Sequence, residues 1–324
     1  MAKEINVVRA SVTDDPEIEQ RRLSMLERLV SEVDATATLG QLVQLALAEP
    51  VREMLQHAPR VRWATNPDDI HHYRVATRRL RSNLLTFESL LDPSDVERLR
   101  SELRWLGAVI GVVRDADVLH EHLRERMSDL SSASRPHVEE LIARLDCERG
   151  EATVTLHEAM DNERFGVLTA SLSSCATAPP FVGRNQLALG DPAMVTCAHF
   201  ARYPWRRLRR FVASLDDDPA DHELHRLRIL TKRCRYAVEA VSLVEGELAS
   251  EFAASLAELQ GVLGEQHDAV VAELWLAKSS IFQLHAGDVV KELIRMERER
   301  RDEARHGWKT AWRAVLRKRL RSWI

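Results

Sequence analysis

The sequence predicts an all-α protein built from two similar helical bundles, and three observations lead to this prediction. Apolar residues recur with a period of about 3.6 residues along most of the chain, whereas the alternation typical of strands is almost absent. Glycine and proline, which interrupt helices, account for only 12 and 11 of the 324 residues. A short phrase rich in histidine and arginine also occurs twice, first at residues 71–81 and again at residues 225–235.

Breaks in the helical pattern divide the chain into its elements in order. An extension over residues 1–34 precedes the repeat, and its stretch Pro16 to Val33 predicts one additional helix. Asp92 and Ser94, and Ser134 before a proline, are typical of helix starts. Turn-forming residues predict further breaks. The expected breaks lie at residues 60–67, 92–94, 131–136, 176–185 and 216–219, and near Gly287.

The repeat extends well beyond the doubled phrase. His71 and His225 are 154 positions apart, and Pro50-Val51-Arg52 has the same spacing to Pro204-Trp205-Arg206. Further along, the spacing falls to 153 for Gly111 with Gly264 and for Asp115 with Asp268, then to 152 for residues 138–142 with 290–294. Each decrease of one residue in this spacing is consistent with a small deletion in a loop of the second half. We therefore predict a tandem duplication within residues 35–324, with halves at 35–189 and 190–324 related by a pseudo-twofold axis.

Each copy of the phrase forms an amphipathic helix with a cationic face. On a helical wheel the basic residues fall within about 80°, and the apolar residues fall on the opposite side. The predicted cationic faces are His71, Arg74, Arg78 and Arg81 in the first copy, and His225, Arg228, Lys232 and Arg235 in the second, with Arg79 and Arg233 on the flanks. Like charges at this spacing destabilise a helix. A solvated face, or ion pairs with other helices, would account for one copy; retention of the pattern in both favours an anion site between the halves.

Composition limits the class of partner. The formal net charge is -4, so the chain lacks the overall basic character of a non-specific nucleic-acid binder, and a basic site has to be local. Most of the 46 basic residues are arginine, whose planar fork suits phosphate. The four cysteines are scattered without a CxxC pair, which predicts reduced thiols and no zinc site. No apolar segment is long enough to span a bilayer. We expect a cytoplasmic chain without membrane contact, metal or cofactor.

The residues around the doubled phrase resemble the CHAD family, the conserved histidine α-helical domains. The resemblance rests on residues 71–81 with 103–118 in the first half, and on residues 225–236 with 259–269 in the second, in the same order. It implies two helical bundles with a basic central groove or pore. It also implies binding of inorganic polyphosphate without catalysis, through the histidines and basic residues of both faces. Association with polyphosphate granules is left open.

Other basic segments and motifs were weighed beside this site. Arg52 and Arg206 are partners at the repeat spacing and would widen the cationic track, as would the arginines at 202, 207, 209 and 210 around Trp205. A basic run from Arg305 to Arg321 is also consistent with a solvated C-terminal helix. His267-Asp268 lacks the partner histidines of a metal-dependent phosphatase, and Asp115 and Asp268 are expected to cap a turn or orient a basic residue. No motif predicts an enzyme. Two alternatives remain: RNA or DNA binding in the same groove, and a scaffold that docks acidic proteins.

Overall fold

The computed structural model describes residues 16–183, 189–280 and 287–324. In these ranges the regular elements are helical, apart from two isolated bridges that join Thr38 to Pro192 and Leu91 to Phe181. The α-helices are α1 (Pro16–Glu32), α2 (Leu39–Val61), α3 (Pro67–Thr86), α4 (Pro93–Met127), α5 (Arg135–Asp161), α6 (Glu163–Thr177), α7 (Ala198–Ala213), α8 (Asp221–Glu245), α9 (Glu247–Ser280) and α10 (Gly287–Val315). The all-α prediction is confirmed.

Local sequence signals account for most helix boundaries. Asp92 caps α4 as predicted, because its carboxylate accepts hydrogen bonds from the backbone N–H groups of Ser94 and Asp95. Helix α5 begins after Ser134, but the Ser134 side chain makes no capping hydrogen bond. Two breaks were not predicted, one at the N-cap Asn162 between α5 and α6 and one at Gly246 between α8 and α9. Gly246 has φ of 81°, a left-handed conformation that glycine adopts without strain.

Two apolar cores hold the helices together. The first contains buried residues of α1 to α4 and of α5 and α6, including Leu47, Tyr73 and Leu103. The second joins α7, α8, α9 and α10 through residues such as Trp205 and Leu256. A third cluster, with Leu119, Leu141 and Leu276, links α4 and α5 to α9 and α10. Burial of each such side chain contributes about 1.5–3 kcal/mol, so these clusters fix how the two groups of helices meet.

Helices at the repeat spacing pack in the same order in each half. In the first half α2 packs on α3, α3 on α4 and α4 on α5; in the second, α7 packs on α8, α8 on α9 and α9 on α10. Helices α3 and α8, which carry the doubled phrase, contact each other between the halves. The exact pseudo-twofold rotation and the division at residue 189 stay predictions. The extra helix predicted in the extension is α1, and its Leu26 lies in the first core.

Candidate functional site

Helices α3 and α8 present their basic faces away from the two apolar cores. Tyr73 and Leu80 of α3, and Leu227 and Cys234 of α8, are buried as the helical wheel predicted. Both helices also share a local feature, because the Thr77 and Thr231 hydroxyls donate to the carbonyls of Tyr73 and Leu227, four residues back, at 2.9 Å. The two copies of the phrase therefore have the same local structure, and their arginines project into the space between the halves.

A small central cavity of about 90 Å³ lies where α3, α4, α8 and α9 meet. It is lined by Arg74, Arg78, Asp115, Val118, Leu119, His122, Arg228, His267, Asp268, Val271 and Ala272. Three arginines of the doubled phrase thus share one cavity, as the sequence predicted. Lys232 does not line this cavity, but the charges of Arg228, Arg78 and Arg74 all act on its amino group.

Burial and mutual repulsion make this cluster electrostatically costly. Burial, followed by the nearby Arg228 and Arg78, lowers the pKa of Lys232 to about 6. Burial, followed by Arg78, lowers the pKa of Arg74 to about 10, and burial also lowers the pKa of Arg228. Arg228 adds to the depression at Arg74 across the contact between the halves. Desolvated like charges disfavour their own ionisation, so an anion in the cavity would relieve an unfavourable arrangement.

Two aspartates at equivalent positions partly neutralise the central arginines. The Asp115 carboxylate accepts a hydrogen bond from Arg74 Nη2 at 3.1 Å, and Asp268 lies 3.9 Å from Arg228 Nη2. Asp115 is 62% exposed, whereas Arg74 is 16% exposed. Each aspartate thus contacts an arginine of the cationic face, and that it orients this arginine, one of the two roles expected for it, stays a prediction. They do not cap a turn, because both lie within long helices.

The histidines of the doubled phrase lie at the exposed edge of this cluster. Burial, then Arg114, lowers the pKa of His71, and burial, then Arg228, lowers the pKa of His225. The imidazole of His225 lies 4.8 Å from that of His267, ring centre to ring centre. Burial and Arg228 lower the pKa of His267 to about 4. At neutral pH these histidines are therefore uncharged, and an anion would favour their protonation.

A second group of arginines extends the cationic surface away from the cavity. The pKa of Arg81 is lowered first by burial and then by Arg78, Arg104, Arg100 and Arg233. Arg233 is in turn acted on by Arg207 and Arg100. A cleft of about 310 Å³ between α3, α4, α7 and α8 contains Arg100, Arg207 and Arg233. We call it the α7 cleft.

Four predicted site residues lie apart from this surface. Arg79 forms ion pairs with Glu53 at 3.6 Å and Glu239 at 3.8 Å, and Arg235 contacts Glu239 at 3.4 Å. Arg52 donates a hydrogen bond to Gln56, and Arg206 is exposed on α7. Neither Arg52 nor Arg206 lines the central cavity or the α7 cleft. Ion pairs also neutralise part of the C-terminal basic run. Arg305 pairs with Asp218 and Asp221, Lys309 with Asp217, and Arg319 with Glu251.

Helix α4 supplies site residues that the sequence analysis did not single out. Arg100, Arg104 and Arg114 follow a spacing that places them on one helix face, with Gly107 and Gly111 between them. Gly107 lies 3.8 Å, measured from a Cβ built there, from the Thr77 methyl group, and Gly111 approaches the Arg74 guanidinium. The periodic arginines and glycines of α4 were the available signal. His122 gave no comparable signal in the sequence, and His267 was considered only as part of the pair His267-Asp268; the structure brings both to the central cavity.

The fold and this cluster define an all-helical protein with cationic residues concentrated between two bundles. The CHAD domain family model matches residues 45–277, which is more than half of the chain. The chain therefore belongs to the CHAD family, and the resemblance noted in the sequence is confirmed. No helix in the described part of the chain is both long and apolar enough to cross a membrane.

Similar proteins agree with this assignment. Two uncharacterised proteins of Mycobacterium tuberculosis, MT2285 of strain CDC 1551 / Oshkosh and Rv2226 of strain H37Rv, are each 26% identical over 254 residues, which is 76% of this chain. The match covers 47% of each of them, so the chain spans about half the length of these relatives.

Two solved structures share the fold. The CHAD domain of the plant Ricinus communis has a TM-score of 0.70 at 23% identity, and covers 87% of this chain and 93% of its own. PptA from Streptomyces chartreusis has a TM-score of 0.68 at 22% identity, and covers 86% of this chain and all of its own.

Proposed function

We propose that this chain binds inorganic polyphosphate between α3, α4, α8 and α9, without catalysing its conversion. The observation that carries the proposal is the convergence of Arg74, Arg78 and Arg228 on the central cavity, with the charge of Lys232 coupled to all three. Two aspartates offset only part of this charge. A linear polyanion with one charge per phosphate would compensate the remainder along the whole cluster, and arginine forks supply charge-assisted hydrogen bonds to its oxygens. Membership of the CHAD family supports the same ligand.

The non-catalytic part of the proposal rests on the absence of recognisable reaction machinery. In the ranges that the structure describes, no group of three or more His, Cys, Asp or Glu side chains is arranged to hold a metal ion. The buried cysteines are poor nucleophiles, since burial raises the pKa of Cys175 to about 11 and that of Cys197 to about 12. We expect no phosphate release when the protein is incubated with polyphosphate, and measured release would reject this part.

A titration with long-chain polyphosphate and with single-stranded RNA of matched charge, at two salt concentrations, tests the ligand. We expect tight, strongly salt-dependent binding of polyphosphate and weak binding of RNA, with polyphosphate displacing RNA but not the reverse. By analogy with DNA, each neutralised phosphate adds about 0.9 to the log–log salt slope. Equal affinity for both polymers would favour a nucleic-acid function, and binding of neither would leave a scaffold for acidic proteins.

A charge-reversal variant tests the site. Arg74→Glu combined with Arg228→Glu should lower polyphosphate affinity by at least about 100-fold, since two charge-assisted contacts are lost and two repulsive charges are added. The matched control, Lys291→Glu with Arg295→Glu, changes net charge equally on the exposed start of α10. An equal loss in the control would mean that general charge, not this cavity, drives binding. Circular dichroism and thermal unfolding would verify that both variants fold.

A further inference from the structure

Two clefts flank the contact between α3 and α8, and residues at the repeat spacing line both. The first is the α7 cleft. The second, the α2 cleft, has about 490 Å³ and lies between α1, α2, α3 and α8. Arg233 lines the α7 cleft, whereas Arg79, its equivalent 154 positions earlier, lines the α2 cleft. At the same spacing, Tyr203 of the α7 cleft corresponds to Glu49 of the α2 cleft, and Leu85 of the α7 cleft corresponds to Glu239 of the α2 cleft. The clefts are thus equivalent in position and different in chemistry.

Carboxylates neutralise the α2 cleft. Glu239 contacts both Arg79 and Arg235, and Glu53 holds Arg79 from the opposite side. Glu49 adds a third carboxylate, which with burial raises the pKa of Glu239. Val30 of helix α1 and Val33, which follows that helix, also contribute to the cleft wall, and both lie outside the repeat. An incoming polyanion would meet negative charge and already paired arginines here.

One arginine and two uncharged residues stand at the positions of those carboxylates in the α7 cleft. Arg207 stands at the repeat position of Glu53, and Leu85 stands at that of Glu239. Among the described residues, no carboxylate pairs with Arg207 or Arg233. Helix α4 adds Arg100 to the cleft, and Arg104 of the same helix acts on Arg81. Their equivalents at the spacing of 153 on α9 are Ala253 and Ala257. The carboxylates nearby are at the edge: Glu88 is exposed at the rim, and Glu97 lies 3.6 Å from Arg100.

Charge–charge interactions link the arginines of the central cavity to those of the α7 cleft. Arg78 acts on Arg81, Arg81 lies near Arg100 and Arg233, and Arg233 lies near Arg207. The Nε group of Arg100 is buried without a hydrogen-bond acceptor, as are those of Arg79 and Arg235, so this feature does not distinguish the two sides. On the α7 side Arg100 pairs with Glu97, whose side chain is 68% exposed. On the α2 side Arg79 and Arg235 both pair with Glu239, whose side chain is only 28% exposed.

We propose that a polyphosphate chain leaves the central cavity on one side only, through the α7 cleft, with Arg81, Arg100, Arg207 and Arg233 holding its extended segment. This inference rests on the proposed function, because it assigns the path of the same ligand. The two clefts lie at equivalent positions of the repeat. They differ because Arg207 and Leu85 stand on the α7 side where Glu53 and Glu239 stand on the α2 side. Long chains then gain affinity from the α7 cleft, whereas a short anion uses only the central cavity.

The first test removes charge from the proposed path. Arg207→Ala with Arg233→Ala should weaken long-chain polyphosphate binding at least tenfold and change tripolyphosphate binding by less than twofold. The matched control, Arg209→Ala with Arg210→Ala, removes the same amount of charge from exposed positions of α7 outside the cleft, and it should change neither affinity more than twofold. Equal losses in the control, or an unchanged long-chain affinity in the cleft variant, would overturn the one-sided path.

The second test blocks each exit without changing charge. Thr86 lines the α7 cleft and Ala240, 154 positions later, lines the α2 cleft. Thr86→Trp should weaken long-chain binding several-fold, and Ala240→Trp should leave it within twofold; the opposite order would reject the inference. If the unmodified protein binds neither polyphosphate nor tripolyphosphate, the proposed function itself fails. Binding of both with equal losses in the two blocked variants rejects only the one-sided path.

Discussion

Gly111 of α4 lies directly against the guanidinium of Arg74 in α3. A Cβ built on Gly111 would overlap Arg74 Nη1, so a larger residue here would displace this arginine from its position beside Asp115. Gly264 stands at the equivalent position of α9, 153 residues later, and nothing lies within 4 Å of a Cβ built there. The same glycine in both halves therefore has different consequences for the site.

Gly111→Ala should weaken polyphosphate binding about five- to tenfold while leaving the protein at least as stable. The guanidinium can move away, so the clash costs little, and alanine is favoured over glycine inside a helix by about 1 kcal/mol. Gly264→Ala is the matched control and should raise the free energy of unfolding by a similar amount without changing affinity. Calorimetric titration and urea unfolding of both variants measure this. An unchanged affinity for Gly111→Ala would mean that Arg74 does not contact the ligand.

Polyphosphate affinity should increase as pH falls from 8.5 to 5.5. Lys232 has a pKa of about 6 in the free protein, and the pKa values of His71 and His225 are also depressed. A bound polyanion raises these values, so binding takes up protons in the window between the free and bound pKa values. Each proton taken up strengthens binding by up to tenfold per pH unit. Below about pH 6 Lys232 is already charged, and its contribution levels off.

Titrations at constant ionic strength across this range would measure the pH effect. Lys232→Arg is the informative control, because a guanidinium keeps its charge throughout the range and should flatten the profile. A wild-type affinity that does not change between pH 5.5 and 8.5 would exclude Lys232 and the histidines from direct contact with the ligand.

Lys232→Met should stabilise the free protein and weaken its binding. The folded-state pKa of Lys232 lies below its unfolded value of 10.5, so the unfolded state binds more protons between about pH 6 and 10.5. Wild-type stability therefore rises with pH across that window, and the penalty is largest below pH 6. Replacing a buried, uncompensated charge by an apolar side chain should raise the free energy of unfolding at pH 6 by about 1–2 kcal/mol.

Urea unfolding at pH 6 and pH 9.5, with and without polyphosphate, would test this expectation. The advantage of Lys232→Met should shrink at pH 9.5, where the wild-type amine is mostly neutral in the folded state. Polyphosphate should stabilise the wild type more than the variant. A variant that is less stable than the wild type at pH 6 would show that Lys232 is compensated in the free protein.

The sequence was sufficient to predict the all-α fold and the meeting of Arg74, Arg78 and Arg228 at one cavity. Periodicity placed Tyr73 and Cys234 on buried faces, and the duplication indicated that Arg74 and Arg228 would approach each other, as they do. The helical wheel placed Arg235 on the cationic face and Arg233 on its flank, whereas in the structure Arg235 pairs with Glu239 and Arg233 lines the α7 cleft. Their surroundings depend on which helix packs beside each one: Arg235 meets Glu239 of its own helix, whereas Arg233 faces Arg207 of α7 and Arg100 of α4. Such differences between equivalent positions arise from tertiary packing, which a single-helix pattern does not contain.

Asp115→Asn should increase polyphosphate affinity about threefold at neutral pH. The carboxylate lies in the central cavity and offsets the charge of Arg74, so its neutralisation raises the positive potential that the ligand meets. Because Asp115 is 62% exposed, loss of the ion pair should cost less than about 1 kcal/mol of stability. Asp288→Asn is the control, since Asp288 is 99% exposed on α10 and does not line the central cavity. It should change neither the affinity nor the stability. Affinity and unfolding measurements on both variants would show whether Asp115 mainly repels the ligand or mainly orients Arg74. If Asp115→Asn lowered affinity as much as Arg74→Ala does, the orienting role would outweigh the repulsion.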